Sequence, residues 1–194
     1  MENLSGYSAD GKKWHQSVGW IKVGEDVFID DFVKIKRPQL AEIGNHVAID
    51  FGFYCTTRLI IGDYIHIAPY VTIIGGAKGL FNIESFASVA AGSRIICASD
   101  EHLGAGLMSP VIPDEYRDNV ITSPVSMEPF SALGTNVVVT PGVVIREGSV
   151  IGANSFINKS TEPWTIYVGN PARPLKIRPK GNMIEYAKRL GYDF

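Results

Sequence analysis

Four histidines, His15, His46, His66 and His102, are the side chains of this chain best suited to moving a proton. Imidazole titrates near neutral pH, so it can take a proton from an attacking nucleophile and return it later. His102 directly follows Asp100 and Glu101. A carboxylate beside an imidazole can orient the ring and stabilise its charged form, which makes Asp100 and Glu101 candidate orienting groups as well as solvated loop acids. His15 belongs to a polar N-terminal arm. His46 and His66 fall inside a repeat and read as exposed side chains on its faces. Their spacing with His102 does not fit a three-histidine zinc site, so no metal is expected. Cys55 and Cys97 lack a CxxC neighbour and read as small apolar fillers rather than as a disulfide or a zinc site.

The elements that must hold these residues follow a six-residue beat. Val23, Ile29 and Ile35 lie six apart, as do Ile43, Ile49 and Cys55, then Ile61, Ile67 and Ile73, then Ile83, Val89 and Ile95. After a gap the beat resumes as Met127, Leu133, Val139, Ile145, Ile151 and Ile157. A period this short, held across most of a chain, indicates a solenoid. Six residues make one short flat strand and a corner, and three such units close a triangular coil. Each aliphatic then points inward and stacks on its counterpart in the next coil, so the core is a column. The residue four places after the aliphatic, small or β-branched at Val47, Val71, Ser131, Val137 and Ser155, is expected at the corner. Apolar periods of 3.6 or 2, which mark helices and half-buried strands, do not persist.

The chain has 194 residues, 45% of them apolar, and a net charge of −2. Such a balance gives no footprint for nucleic acid or an acidic membrane surface. No apolar run is long enough for a membrane span, and the N-terminus lacks the apolar core of a signal peptide, so a cytoplasmic protein is expected. Residues 1–20 form an N-terminal arm, residues 21–160 the repeat domain, and residues 161–194 a C-terminal extension. The beat breaks at Lys36–Glu42, at Ile74–Asn82 and, most extensively, at Ala98–Val125. The second break contains Gly75-Gly76-Ala77-Lys78-Gly79 and reads as a surface loop. The third holds His102 with three prolines, two glycines and five acids. Long insertions of this kind inside a domain are usually functional, and 98–126 is taken as the active-site loop. Met183, Ile184, Ala187 and Leu190 recur at helical spacing and predict a short amphipathic helix, expected over the open end of the coil stack.

Together, the hexapeptide repeats, the histidine-bearing loop, Pro141 to Ile145, Ile151 to Ser155 and the Gly-Asn-Pro-Ala-Arg run from Gly169 to Arg173 resemble the hexapeptide-repeat acyltransferases. The resemblance spans about residues 20–180. It implies a left-handed parallel β-helix, a homotrimer with active sites between subunits, and acetyl-CoA or another acyl-CoA as co-substrate. Asp100-Glu101-His102 through Ile112-Pro113, with the exit after Trp164, look most like the branch that acylates nucleotide-linked amino-deoxysugars for surface glycans such as O-antigen. A sugar or polysaccharide O-acetyltransferase is the alternative.

Acyl transfer from a thioester needs a base for the nucleophile, a donor for the oxyanion and room for the thiolate. The resemblance assigns the base to His102. It places an oxyanion-binding backbone N–H in the repeat from Ser131 to Thr135. Many relatives carry Trp two residues before the Gly of that repeat, where this chain has Ala132. Thr135 and Ala153 would line the pantetheine arm. Asn158 and Lys159 would lie near the nucleotide of CoA, Arg173 and Lys176 near its phosphates, and Gly169, Asn170, Pro171 and Ala172 would shape the bend beside adenine. Loop 98–126 is a candidate wall for the nucleotide sugar, with Glu115, Tyr116 and Arg117 as unranked contacts.

Overall fold

The structure, a computed structural model, describes residues 22–117 and 119–194. The N-terminal arm, with Trp14, His15 and Trp20, lies outside the described residues. Short strands wind around three faces. The first face stacks Lys22–Val23, Ala41–Ile43, Arg58–Ile61, Leu80–Ile83, Val125–Met127 and Val144–Ile145. The second stacks Phe28–Ile29, Val47–Ile49, Ile65–Ile67, Ser88–Val89, Ala132–Leu133 and Val150–Ile151, and continues into Thr165–Gly169 and Ala172–Ile177. The third stacks Lys34–Ile35, Tyr54–Cys55, Thr72–Ile74, Arg94–Ile96, Val138–Val139 and Phe156–Ile157. All these neighbours pair in parallel except the last two strands of the second face.

The register reproduces the six-residue beat. Val23, Ile43, Ile61, Ile83, Met127 and Ile145 align on the first face. Ile29, Ile49, Ile67, Val89, Leu133, Ile151 and Tyr167 align on the second. Ile35, Cys55, Ile73, Ile95, Val139 and Ile157 align on the third. The fold is a left-handed parallel β-helix. Its column is almost fully sealed, and each such side chain contributes about 2 kcal/mol of burial.

The residues four places after each aliphatic differ from expectation. Val47, Val71, Ser131, Val137 and Ser155 are buried. They sit one residue past the corner, where a second inward side chain must be compact. The corner itself is the residue before them, and there the backbone turns left-handed, as at His46, Tyr64, Tyr70, Phe86, Phe130, Asn136, Asn154 and Trp164. That conformation costs an L-residue about 1–2 kcal/mol.

Ring stacking offsets much of this cost on the first corner, between the first and second faces. His46, Tyr64, Phe86, Phe130 and Trp164 stack in succession at centroid spacings of 4.5, 5.3, 5.4 and 6.0 Å. Gly148 leaves the space that the Trp164 ring fills; an added Cβ would lie 2.3 Å from Trp164 Cδ2.

The helix Met183–Arg189 lies along this aromatic corner rather than over the end of the stack. The corner supplies a continuous apolar surface for Met183, Ile184 and Ala187. On the second face, the final parallel strand is instead covered by the antiparallel Ala172–Ile177. Beyond the helix, Tyr192 and Phe194 pack edge-on against Phe86. Tyr192 Oη donates to Asp63 Oδ2 at 2.6 Å, while Asn45 N–H donates to Asp63 Oδ1 at 2.6 Å. No helix among the described residues is long and apolar enough to cross a membrane.

Two outcomes follow from the first corner. Gly148→Ala should lose about 2 kcal/mol or more of unfolding free energy in urea titration, because it adds a clash to backbone strain. Gly181→Ala, also at positive φ but with open space around it, should lose less. The second outcome concerns pH. Partial burial opposes ionisation of Asp63, but hydrogen bonds from Tyr192 and Asn45, with the nearby His46, hold its carboxyl below the usual range. Its contribution is therefore present above the unfolded carboxylate pKa and is lost as pH falls through the lower folded value. Tyr192→Phe should cost about 1 kcal/mol at pH 7, allowing for solvent screening, and the gap to wild type should close in strong acid.

Candidate functional site

All three breaks in the beat leave the coil at one corner, where the chain passes from the third face to the first. They follow Ile35, Ile73 and Ile95, each the last aliphatic of its coil. The first break forms a single 3-10 turn at Pro38–Leu40. The second is a tight turn in which an added Cβ on Gly75 would lie 2.7 Å from Cys97 Cβ, so only glycine lets the insertion approach that closely. The third is more ordered than a bare loop. Ala98–Asp100 and Val120–Thr122 form an antiparallel stem, and Asp114–Tyr116 adds a 3-10 turn beyond it.

Stacked on one another, the three breaks enclose a cleft of about 930 Å³. Lys36, Arg37 and Gln39 come from the first break. Tyr54, Thr56 and Ile96 come from the third face and its corner, while Ser99, Asp100, Pro110 and Arg117 come from the long loop. Arg37 Nη1 is fixed to the Thr56 carbonyl, and Arg117 Nη2 donates to Asp100 Oδ1 at 3.2 Å. The cleft therefore carries cations from two different breaks and one carboxylate.

His102 projects from the loop beside this cleft, exposed and with a φ of 62°. Its Nε2 lies 3.2 Å from Ser99 Oγ, and its Nδ1 lies 2.9 Å from Met108 Sδ. Ser99 Oγ already donates its proton to the Asp100 carbonyl at 3.0 Å. The serine oxygen is thus an acceptor for Nε2–H. Met108 Sδ, a thioether without a hydrogen, can also only accept, so both contacts are hydrogen bonds only when the ring is doubly protonated. In the neutral Nε2–H tautomer inferred from this network, the Nδ1 lone pair faces the sulfur and becomes free only when Met108 moves aside. Neither Asp100 nor Glu101 reaches the imidazole; Asp100 is held by Arg117, and no hydrogen bond to the Glu101 side chain occurs among the described residues. Burial pushes the thiols of Cys55 and Cys97 up to about 12, so neither serves as a nucleophile near neutral pH. No cluster able to hold a metal ion occurs among the described residues.

The residues assigned to CoA by resemblance divide into two groups. Thr135, Ala153 and the turn from Gly169 to Ala172 gather on the second corner at the C-terminal end of the stack. Asn154 N–H donates to the Thr135 carbonyl at 2.8 Å, and Gly169 N–H to Ser155 Oγ at 3.0 Å. The Asn170–Pro171 bond is cis, and Arg173 Nη1 donates to the Ala172 carbonyl at 2.9 Å. Lys176 is exposed on the edge strand Ala172–Ile177. Asn158 and Lys159 lie past Phe156–Ile157 on the third corner, apart from that turn. Residue type alone does not mark Ser99, Lys36, Gln39 or Tyr54 as lining a cleft. The signal for them was present, since breaks that each follow the third aliphatic of a coil must share a corner.

No family model matches the chain. It is 34% identical over 168 residues to a dTDP-4-amino-4,6-dideoxy-D-glucose acyltransferase of Escherichia coli, covering 85% of this chain and 86% of that one. Among solved structures it is similar to AntD, an N-acyltransferase from Bacillus cereus, in complex with dTDP and 3-hydroxybutyryl-CoA. That match has a TM-score of 0.87 and 32% identity, covering 93% of this chain and 97% of AntD. A maltose O-acetyltransferase from Clostridium difficile shares the fold at a TM-score of 0.60 and 21% identity, covering 93% of this chain and 90% of that one. A coil register that keeps its beat and two relatives, each over 30% identical and covered over more than four fifths of its length, lead to one assignment: the chain belongs to the hexapeptide-repeat acyltransferases and is itself an acyltransferase.

Proposed function

We propose that this enzyme transfers an acyl group, acetyl in the simplest case, from acyl-CoA to the amine of a dTDP-linked amino-deoxysugar. The product would feed surface glycan synthesis in the cytoplasm. The observation that carries this reading is the insertion cleft, whose volume suits a nucleotide sugar and whose walls carry both cations and a carboxylate. Lys36 and Arg37 meet the diphosphate, for which a guanidinium fork and an ammonium are natural partners. Tyr54 and Gln39 offer a ring face and an amide to the sugar or base. The E. coli and B. cereus relatives support a dTDP-linked acceptor.

His102 Nδ1 removes a proton from the amine as it attacks the thioester carbon. Ser99 holds the ring through Nε2, and Met108, exposed and flexible, gives way as the acceptor enters. The C–S bond breaks as the amide forms, and the thiolate leaves with CoA. In the repeat from Ser131 to Thr135, the Gly134 N–H is already bonded to the Ile151 carbonyl at 2.7 Å. Thr135 N–H has no acceptor among the described residues and is the oxyanion donor in this reading. His102 stands on the third corner and Thr135 on the second. A trimer that sets one subunit's loop against its neighbour's second corner completes the site.

Thiol release from acetyl-CoA, measured with dTDP-, UDP- and GDP-linked amino sugars beside their hydroxyl counterparts, should occur with a dTDP-linked amine. His102→Ala should lower kcat/KM by about 10²- to 10⁴-fold. Full activity in that variant would remove His102 as the base, and turnover confined to hydroxyl acceptors would make the enzyme an O-acyltransferase. Replacing both Lys36 and Arg37 by Ala should raise the KM for the nucleotide sugar about tenfold or more, with little change in the KM for acetyl-CoA.

A further inference from the structure

The long loop contains a single cation among five acids. Arg117 is the one Lys or Arg between Ala98 and Val125. Its side chain is 16% exposed, and that of its partner Asp100 is 18% exposed. Asp114, which lies 3.7 Å from Arg117 Nη1, is fully exposed and adds little. The Arg117–Asp100 pair ties the outgoing limb of the loop to its return, next to the stem that joins Ala98–Asp100 to Val120–Thr122. Both members line the cleft.

The pairing also decides what Asp100 is for. Oδ1 accepts from Arg117, whereas Oδ2 has no partner among the described residues. The imidazole of His102 takes Ser99 and Met108 instead. A half-buried carboxylate with one oxygen fixed and the other free presents a directed acceptor to whatever occupies the cleft. Arg117 Nε is buried without a partner among the described residues, an unmet donor that would be costly in a purely structural arginine.

We propose that Arg117 is a positioning residue for the acceptor: it holds Asp100 with Oδ1 on the guanidinium and Oδ2 free for a polar group of the sugar. The proposal rests on the acceptor reading given above. Without Arg117, the Asp100 carboxylate stands half-buried and unpaired, and its orientation is lost.

Calorimetric binding of a dTDP-linked amino sugar, with dTDP alone as the control ligand, tests this on the full-length protein. Arg117→Ala should weaken amino-sugar binding at least tenfold and leave dTDP binding within twofold. Arg117→Lys, which keeps the charge and guards against misfolding of the alanine variant, should recover most of the loss. Combining Arg117→Ala with Asp100→Asn should weaken binding no more than the worse single change, since both remove one interaction. Equal losses for both ligands would reduce Arg117 to a structural tie and overturn the proposal. Unchanged amino-sugar affinity in Arg117→Ala, or additive losses in the double variant, would also overturn it. A wild-type protein that binds neither ligand would instead refute the acceptor reading itself, and the proposal with it.

Discussion

Inward stacking of one aliphatic side chain per strand, coil upon coil, is the interaction on which the rest of the structure depends. The column is narrow and sealed, so each strand must deliver its side chain at a fixed height. A residue inserted within a strand would push every later side chain out of register. Extra chain is tolerated only where it can leave and re-enter at a corner. Ile61 pairs with Ile83, and Ile83 with Met127, across insertions of very different length without disturbance of the ladder. The long stem on Ala98–Asp100 is thus held by a rigid frame although it lies outside the core.

The three corners divide the work. The first is apolar and mechanical. Its stacked rings pay for a left-handed backbone and anchor the C-terminal helix, with Asp63 collecting hydrogen bonds from Asn45 and Tyr192. The second presents backbone and small side chains, as at Thr135, Ala153 and the Gly169 turn, which suits a long thin ligand. The third gathers every insertion and with them Lys36, Arg37, Arg117, Asp100 and Ser99. Polar side chains accumulate there because the inserted segments are free of the column's demand for aliphatics.

The column was legible in the sequence because its constraint is local and repetitive. Each aligned column up to Ile157, including Cys55 among isoleucines, was visible as part of the six-residue beat, whereas Tyr167, which continues the second face after Ile151, lay outside it. The corners fall one residue before the positions that the pattern suggests, because compact residues such as Val71 and Ser131 are needed just inside a turn as much as on it. The helix was predicted from its own periodicity, but its seat was not. Its partner surface is made of Phe86, Phe130 and Trp164, whose side-by-side placement exists only after the coil has closed. The site showed the same division. His102 could be proposed from residue type and resemblance, whereas its Ser99 and Met108 partners and the Arg117–Asp100 pair depend on how the loop folds back. Lys36 and Arg37 lie far from His102 in sequence and share its corner only through the three-fold count of the repeat.

The central claim is that insertions stacked on one corner build the acceptor site. A crystal structure with a dTDP-linked amino sugar and CoA bound would test it most directly. The account predicts the diphosphate within hydrogen-bond reach of Lys36 and Arg37, the sugar against Asp100, and CoA along the second corner of an adjoining subunit. Nucleotide sugar bound away from the cleft, with Lys36 and Arg37 facing solvent, would contradict it.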